Sequence, residues 1–312
     1  MSKRNILITG ATGYLGRALL DSLVSSDFSN IIGVLRDGKS PPEIYGIRWI
    51  PYSDLMSDPD SLINVDIVCH LAVPRGSNNG TDLATSVDDL RIILQKASKS
   101  NVTGFIYASS QAVYGATQPP WKENAALSPM TPHGWAKLAS EQLVLSYQDQ
   151  SIAMRCINLR IPKLVGPGPC FRMNLGEHVH SLVYSSLQEK MLHLSSNFLK
   201  QKFDFMDVRD AGNVICKIAQ KDTASWPSVL NIGTGKIIDG AELVDIINRY
   251  GMQKYGKPLN YLEVPKSIKL RDFGMNIDLF NNTIGDYSTL DLDKIVIDVF
   301  QFVSCLPSED LH

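Results

Sequence analysis

The sequence predicts an α/β protein built on a doubly wound, mostly parallel sheet with a smaller C-terminal lobe. Three observations predict it. Short apolar runs alternate with helix-period segments over the first two-thirds of the chain. A glycine-rich turn joins the first apolar run to the first helix. The alternation then loosens after Gly166-Pro167-Gly168-Pro169, where two glycine–proline pairs mark a loop or boundary.

The elements follow in order. Residues 5–9 form a short buried-strand pattern and 14–25 a helix. Residues 31–35 read as a second strand and 67–72 as a later one. Helical spacing covers 83–99, strand pattern 104–108, helix again 137–148 and strand 152–159. Residues 1–168 are expected to form a dinucleotide-binding domain to which 206–235 return, with 229–232 as a further strand. Residues 169–205 and 236–312 are expected to form the smaller, substrate-binding lobe. No internal repeat and no low-complexity segment interrupts this plan.

Composition narrows the class. Of 312 residues, 44% are hydrophobic and 20% charged, as in ordinary soluble domains. Lys and Arg total 30 and Asp and Glu 32, a net charge of -2, so a polyanion-binding surface is not expected and nucleic acid is not the expected partner. No apolar run approaches the ~20 residues of a membrane span. The basic start, Ser2-Lys3-Arg4, leads into Ile6-Leu7-Ile8, too short for a secretory signal core. Cys69, Cys156, Cys170, Cys216 and Cys305 are scattered without a CxxC pair, which fits reduced thiols in the cytoplasm.

The chemistry begins at Thr9-Gly10-Ala11-Thr12-Gly13-Tyr14-Leu15-Gly16. Gly10 permits a tight turn off the strand. Gly13 lets the backbone approach a pyrophosphate, and Gly16 lets the helix pack closely on the sheet. The helix N-terminus then offers N–H groups and a positive dipole end to the phosphates. In the strand–turn–helix setting this is the Rossmann dinucleotide turn, with Thr12, Tyr14 and Leu15 also expected at the cofactor. After the second strand the chain reads Val34-Leu35-Arg36-Asp37. Arg36 at that end favours the 2′-phosphate of NADP. Asp37, one position later, would favour NAD if the register slips by one. NADP is therefore expected, with NAD as the alternative.

These residues, with several downstream, resemble the extended short-chain dehydrogenases/reductases of the NAD-dependent epimerase/dehydratase type. Ser53-Asp54-Leu55 resembles that family's adenine-contacting segment. Asp66-Ile67-Val68-Cys69-His70-Leu71-Ala72 is similar to its fourth-strand cofactor segment, which brings in Leu71 and Ala72. Tyr107-Ala108-Ser109-Ser110-Gln111-Ala112-Val113-Tyr114-Gly115 resembles the segment carrying the catalytic Ser or Thr, and its spacing assigns that role to Ser110. Gln111 is then expected on the substrate side. Leu159-Arg160-Ile161-Pro162-Lys163 resembles the strand and loop over nicotinamide and substrate, with Ile161 toward the cofactor. Segments 203–213 and 229–235 resemble the family's late motifs. The resemblance implies a cytoplasmic oxidoreductase, epimerase or dehydratase. Its substrate would be a hydroxyl or keto group of a nucleotide sugar or secondary metabolite, and a homodimer formed through a helix pair is usual.

The family's proton chemistry uses Tyr-x-x-x-Lys on one helix face. Here the segment is His133-Gly134-Trp135-Ala136-Lys137: the lysine is in place and histidine stands at the tyrosine position. An imidazole titrates near 6.5 where a phenol titrates near 10, and a neighbouring ammonium lowers it further. Three readings stay open: His133 replaces tyrosine in redox chemistry; His133 with Ser110 serves another proton transfer such as elimination or isomerisation; or the chain binds cofactor without catalysis. Hydrolysis through Ser110 and His133 would need an orienting acid and an oxyanion hole, and neither is visible. On the substrate side, Lys163 stands where nucleotide-sugar members often carry Asn. Phe203-Asp204-Phe205 replaces the usual Arg-Asp-Phe. Lys163, Arg75 and Arg172 are expected to meet an anionic substrate. His178 and His180 do not share a helix face, and no metal site is expected.

Overall fold

In the computed structural model the described residues are 4–73, 80–150, 153–168, 179–265, 272–285, 287 and 289–306. Arg75, Cys170, Arg172 and His178 lie outside them. The chain opens with β1 (Asn5–Thr9), α1 (Tyr14–Val24), β2 (Asn30–Leu35), β3 (Ile47–Pro51) and α2 (Tyr52–Ser57). It continues through β4 (Ile67–His70), α3 (Gly80–Lys99), β5 (Gly104–Ser110), α4 (Pro132–Gln150) and β6 (Arg155–Ile161). Next come β7 (Lys163–Val165), α5 (Val179–Leu187), β8 (Leu192–Ser195), α6 (Ser196–Lys200), β9 (Lys202–Asp207) and α7 (Val208–Gln220). The last elements are β10 (Val229–Asn231), β11 (Ile237–Asp239), α8 (Gly240–Tyr250), β12 (Tyr261–Val264), α9 (Asp278–Ile284) and α10 (Leu292–Ser304).

The main sheet has the order β10-β6-β5-β4-β1-β2-β3 and every neighbouring pair is parallel. Strand order reverses between β1 and β4, which opens a crevice at their C-terminal ends. Side-chain alternation explains why both faces are covered. Ile6 and Ile8 face one hydrophobic core with α1 and α7, whereas Leu7 faces the other with α3. Ile106 and Ala108 join the first core, and Phe105 and Tyr107 the second. A parallel sheet buried on both faces reads as continuous apolar runs, and Ile6-Leu7-Ile8 is such a run.

A third core gathers α5, α8 and α10 around β9. There β9 pairs in parallel with β7 and antiparallel with β11. Thus β7, which precedes residue 168, belongs to the smaller sheet. β8 and β12 form a separate parallel pair.

Some boundaries differ from the sequence pattern. α4 starts at Pro132, a turn before 137, because Thr131 Oγ1 accepts the Gly134 N–H at 3.1 Å and Pro132 suits a first helical position. β6 starts at Arg155, where pairing with Gly104 sets the register. β3 and α2 had no strong periodic signal: β3 is an edge strand with only partly buried or exposed residues.

Candidate active site

A cavity of about 580 Å³ lies at the reversal of strand order. The glycine turn forms one wall through Gly10, Thr12, Gly13 and Tyr14, and the end of β4 another through Leu71 and Ala72. Gly10 has φ +69°, and a Cβ there would sit 2.8 Å from the Ala72 nitrogen. At Gly16 a Cβ would fall 2.1 Å from the Gly10 carbonyl oxygen. No side chain caps α1 at Gly13, so its first turn keeps amide donors for a phosphate. A dinucleotide suits this cradle in size and donor chemistry.

The far wall carries Val34, Leu35, Arg36, Tyr52, Ser86 and Asp89. Arg36 is exposed at the end of β2. Asp37 is not among the lining residues. Its Oδ1 accepts from the Ser53 N–H at 3.0 Å and from the Ser53 hydroxyl at 2.8 Å, and these bonds lower its pKa. The Tyr52 hydroxyl is buried beside the Asp89 carboxylate. Burial first, then the neighbouring Asp89 carboxylate, raise its pKa.

A second, small cavity of about 10 Å³ adjoins the first and shares His70, Ala72, Val73 and Ser86 with it. Leu83, Tyr107, His133, Ala136, Lys137 and Ser140 complete it. Lys137 is buried; its Nζ donates to the Ala108 carbonyl at 2.5 Å and lies 4.7 Å from the Tyr107 ring centre. Burial lowers its pKa to about 8 despite the opposing effect of Glu141. Half-buried His133 has its pKa lowered by burial and by the Lys137 charge, so its imidazole is neutral at pH 7. His70 pairs through Nδ1 with Thr9 Oγ1 at 2.9 Å, and burial and Lys137 push it down to about 3.

Beneath this pair lies a buried polar network. Glu141, one turn after Lys137, binds Arg160 of β6 through both oxygens, at 3.0 and 2.8 Å, and accepts from Ser109 at 2.5 Å. Arg160 also donates to the Tyr114 hydroxyl at 2.9 Å, which donates to Asn231 at 2.6 Å. Tyr114 stacks on Trp121 at 4.9 Å between ring centres. It is a structural residue, and its phenol is engaged away from either cavity.

The decisive comparison is with families. The model of the NAD dependent epimerase/dehydratase family matches residues 6–233. The chain belongs to this family. It is 28% identical over 261 residues to the "Uncharacterized UDP-glucose epimerase YtcB" of Bacillus subtilis, covering 78% of this chain and 80% of that one. It superposes at TM-score 0.83 on the NAD dependent NDP-hexosamine 5,6-dehydratase TunA, with 23% identity, 98% of this chain and 100% of that chain covered. It superposes at TM-score 0.80 on MoeE5 in complex with UDP-glucuronic acid and NAD, with 24% identity and 96% and 99% covered. These two superpositions show the fold.

In this member of the family the expected residues separate into groups. Gly10, Thr12, Gly13, Tyr14, Arg36, Leu71 and Ala72 line the larger cavity, and His133 and Lys137 the smaller. Gly16, Leu55 and Ile161 are buried and Leu15 is half-buried against the first core, so they support the walls from behind. Asp54 is exposed in the first turn of α2 and does not line the cavity. Ser110 lines neither cavity: its Oγ accepts from the Ala112 N–H at 3.2 Å and caps the short turn Gln111–Val113. The Gln111 Oε1 is buried without a hydrogen-bond partner. Lys163 Nζ lies over the Phe203 and Phe205 rings, 5.1 and 5.6 Å from their centres. A cation thus remains beside the position where the family's arginine is lost. Tyr14 donates to the Gly166 carbonyl at 2.8 Å, and His180 pairs with the same oxygen at 2.7 Å. Sequence reasoning missed Tyr52, Ser86 and Asp89. Their only signal is helical spacing on α3 and a lone aromatic after β3. Among the described residues no cluster of three metal-binding side chains exists, and no helix is long and apolar enough to cross a membrane.

Proposed function

We propose that this family member transfers hydride at a hydroxyl- or keto-bearing carbon of a nucleotide sugar or related small metabolite, with His133 in place of the family's tyrosine. The observation that supports it most is the placing of His133 and Lys137 in one small cavity that shares four lining residues with the dinucleotide cleft. The names of the similar proteins, a UDP-glucose epimerase and an NDP-hexosamine dehydratase, support the substrate class.

A bound nicotinamide would supply hydride acceptance and return. The chain's residues supply the rest. The unprotonated nitrogen of His133 accepts the hydroxyl proton as the carbon gives up hydride, and returns it on reduction. Lys137, with its pKa near 8, is mostly protonated at pH 7. It would hold the nicotinamide ribose, and its charge disfavours a second positive charge on His133. His70 stays neutral below them and fixes Thr9. Lys163, over the Phe203 and Phe205 rings, would offer a cation to a phosphate or carboxylate.

For the cofactor we infer NADP. Arg36 lines the cleft, while the acid that would accept the ribose hydroxyls of NAD is held by Ser53. NAD is the second reading, favoured by the NAD bound to MoeE5 and the NAD dependence of TunA. Calorimetric titration with each dinucleotide separates the two: NADP should bind at least about tenfold tighter, and Arg36→Ala should remove that preference. Lys137→Ala should weaken both. His133→Ala should abolish turnover of a UDP-hexose, and His133→Tyr should retain it. If neither dinucleotide binds at millimolar concentration, or if His133→Ala turns over normally, the proposal fails.

A further inference from the structure

We propose that Tyr14 and His180 are positioning residues that clamp the strap Gly166-Pro167-Gly168 between the glycine turn and the lobe, so that a dinucleotide in the turn fixes the lobe. This rests on the dinucleotide reading above. The geometry starts from one buried atom, the Gly166 carbonyl oxygen. It accepts from the Tyr14 hydroxyl at 2.8 Å and meets His180 Nε2 at 2.7 Å. A carbonyl has two lone pairs and no proton, so both partners donate, and Nε2 is the protonated ring nitrogen of His180. The two donors come from different halves of the molecule. Tyr14 opens α1 and lines the dinucleotide cleft. His180 is buried in the first turn of α5, among the residues of the lobe's core.

The strap is gripped on other sides as well. A Cβ at Gly166 would lie 2.8 Å from Asp207 Oδ2, and one at Gly168 would lie 2.9 Å from the Tyr14 ring. The φ angles of these glycines are +126° and +142°, and Pro167 between them has its φ fixed by its own ring. A stiff centre between two pivots takes its place from what holds it. Asp207 is held in turn by Arg209, which also reaches Asp298 of α10. The strap follows β7 directly, and β7 carries Lys163 and pairs with β9 in the lobe sheet. A phosphate accepted by the first-turn amides of α1 immobilises Tyr14. Through one oxygen that constraint reaches α5, and through the strap it reaches β7. With one donor lost the oxygen keeps a partner; with both lost it is a buried acceptor with none, and the clamp opens.

The test is amide hydrogen exchange on the full chain, without dinucleotide and with saturating NADP or NAD, so that occupancy is equal in every variant. In the unsubstituted protein, dinucleotide should slow exchange in α5 as well as in α1, by at least about fivefold in each. Tyr14→Phe keeps the ring against Gly168 and removes one donor; it should cut the α5 effect by about threefold while α1 stays protected. His180→Leu should do the same, and His180→Gln, whose amide still donates, should restore it. The double variant Tyr14→Phe with His180→Leu should lose the α5 effect altogether. Where that double variant does not fold, Tyr14→Phe and the contrast between His180→Gln and His180→Leu decide the matter. Absence of any α5 effect in the unsubstituted protein, an undiminished effect in Tyr14→Phe, or equal behaviour of His180→Gln and His180→Leu overturns the clamp while leaving the cofactor reading intact. Failure of both dinucleotides to bind overturns both.

Discussion

Lys137 illustrates how one side chain is tuned by its surroundings. Its ammonium is buried, bonded to one carbonyl and placed over an aromatic ring, and its pKa falls to about 8. An unfolded lysine titrates near 10.4. Between those values the unfolded chain holds a proton that the folded chain has released. Stability from this group therefore rises with pH over about 8 to 10.4 and is lowest below 8. Urea unfolding of the cofactor-free protein and of Lys137→Met should show the unsubstituted protein gaining on the variant across that window. A pH-independent difference would show that Lys137 titrates normally. His133 is pulled in the same direction by the same charge. A His133→Tyr exchange replaces a group that is neutral above its lowered pKa with a phenol. The acid limb of the pH–rate profile should therefore be lost or moved.

At the scale of elements, α4 and β6 are joined by Glu141 and Arg160, whose side chains are 1% and 3% exposed. Their pairing is bidentate, and Ser109 and Tyr114 satisfy further lone pairs and protons. Glu141→Gln leaves a guanidinium without its countercharge in the interior. The expected cost is about 3–5 kcal/mol, read from the shift in urea midpoint at constant m-value. Because Glu141 also opposes the fall in the Lys137 pKa, the same variant should weaken dinucleotide binding less than Lys137→Ala but measurably. The α4 helix was legible through its lysine and the Leu138-Ala139-Ser140-Glu141 run. Its true start was encoded in Thr131-Pro132, a capping signal outside the apolar period. β3 was illegible because an edge strand with little buried surface needs no apolar alternation.

Across the whole molecule, three of the four hydrophobic cores among the described residues are large. Two lie on the faces of the main sheet, and the third fills the lobe built on β9, α5, α8 and α10. Gly166 joins them: its carbonyl is held by Tyr14 of the glycine turn and His180 of the lobe. A second tie runs from Asp207 through Arg209 to Asp298 on α10, with both contacts at 2.7 Å. A ligand at the glycine turn should therefore stabilise main sheet and lobe together. At a hundredfold excess over its Kd, dinucleotide should add about 2.7 kcal/mol and raise Tm by several degrees in a single transition. Calorimetric binding without a shift in Tm would show that the lobe unfolds first and sets the transition.

The sequence by itself determined the parallel sheet, the dinucleotide turn, the His133–Lys137 helix and the family. Each is written in local pattern, because strand and helix periods, glycine spacing and a one-turn offset need only neighbouring residues. Only the tertiary structure decided which of those residues face the cleft. Asp37 is drawn to Ser53, Ser110 caps its own turn, Leu55 and Ile161 pack inward, and Tyr52 and Asp89 meet across α2 and α3. These outcomes depend on contacts between residues far apart in the chain and on competition among hydrogen-bond partners, neither of which leaves a period in the sequence.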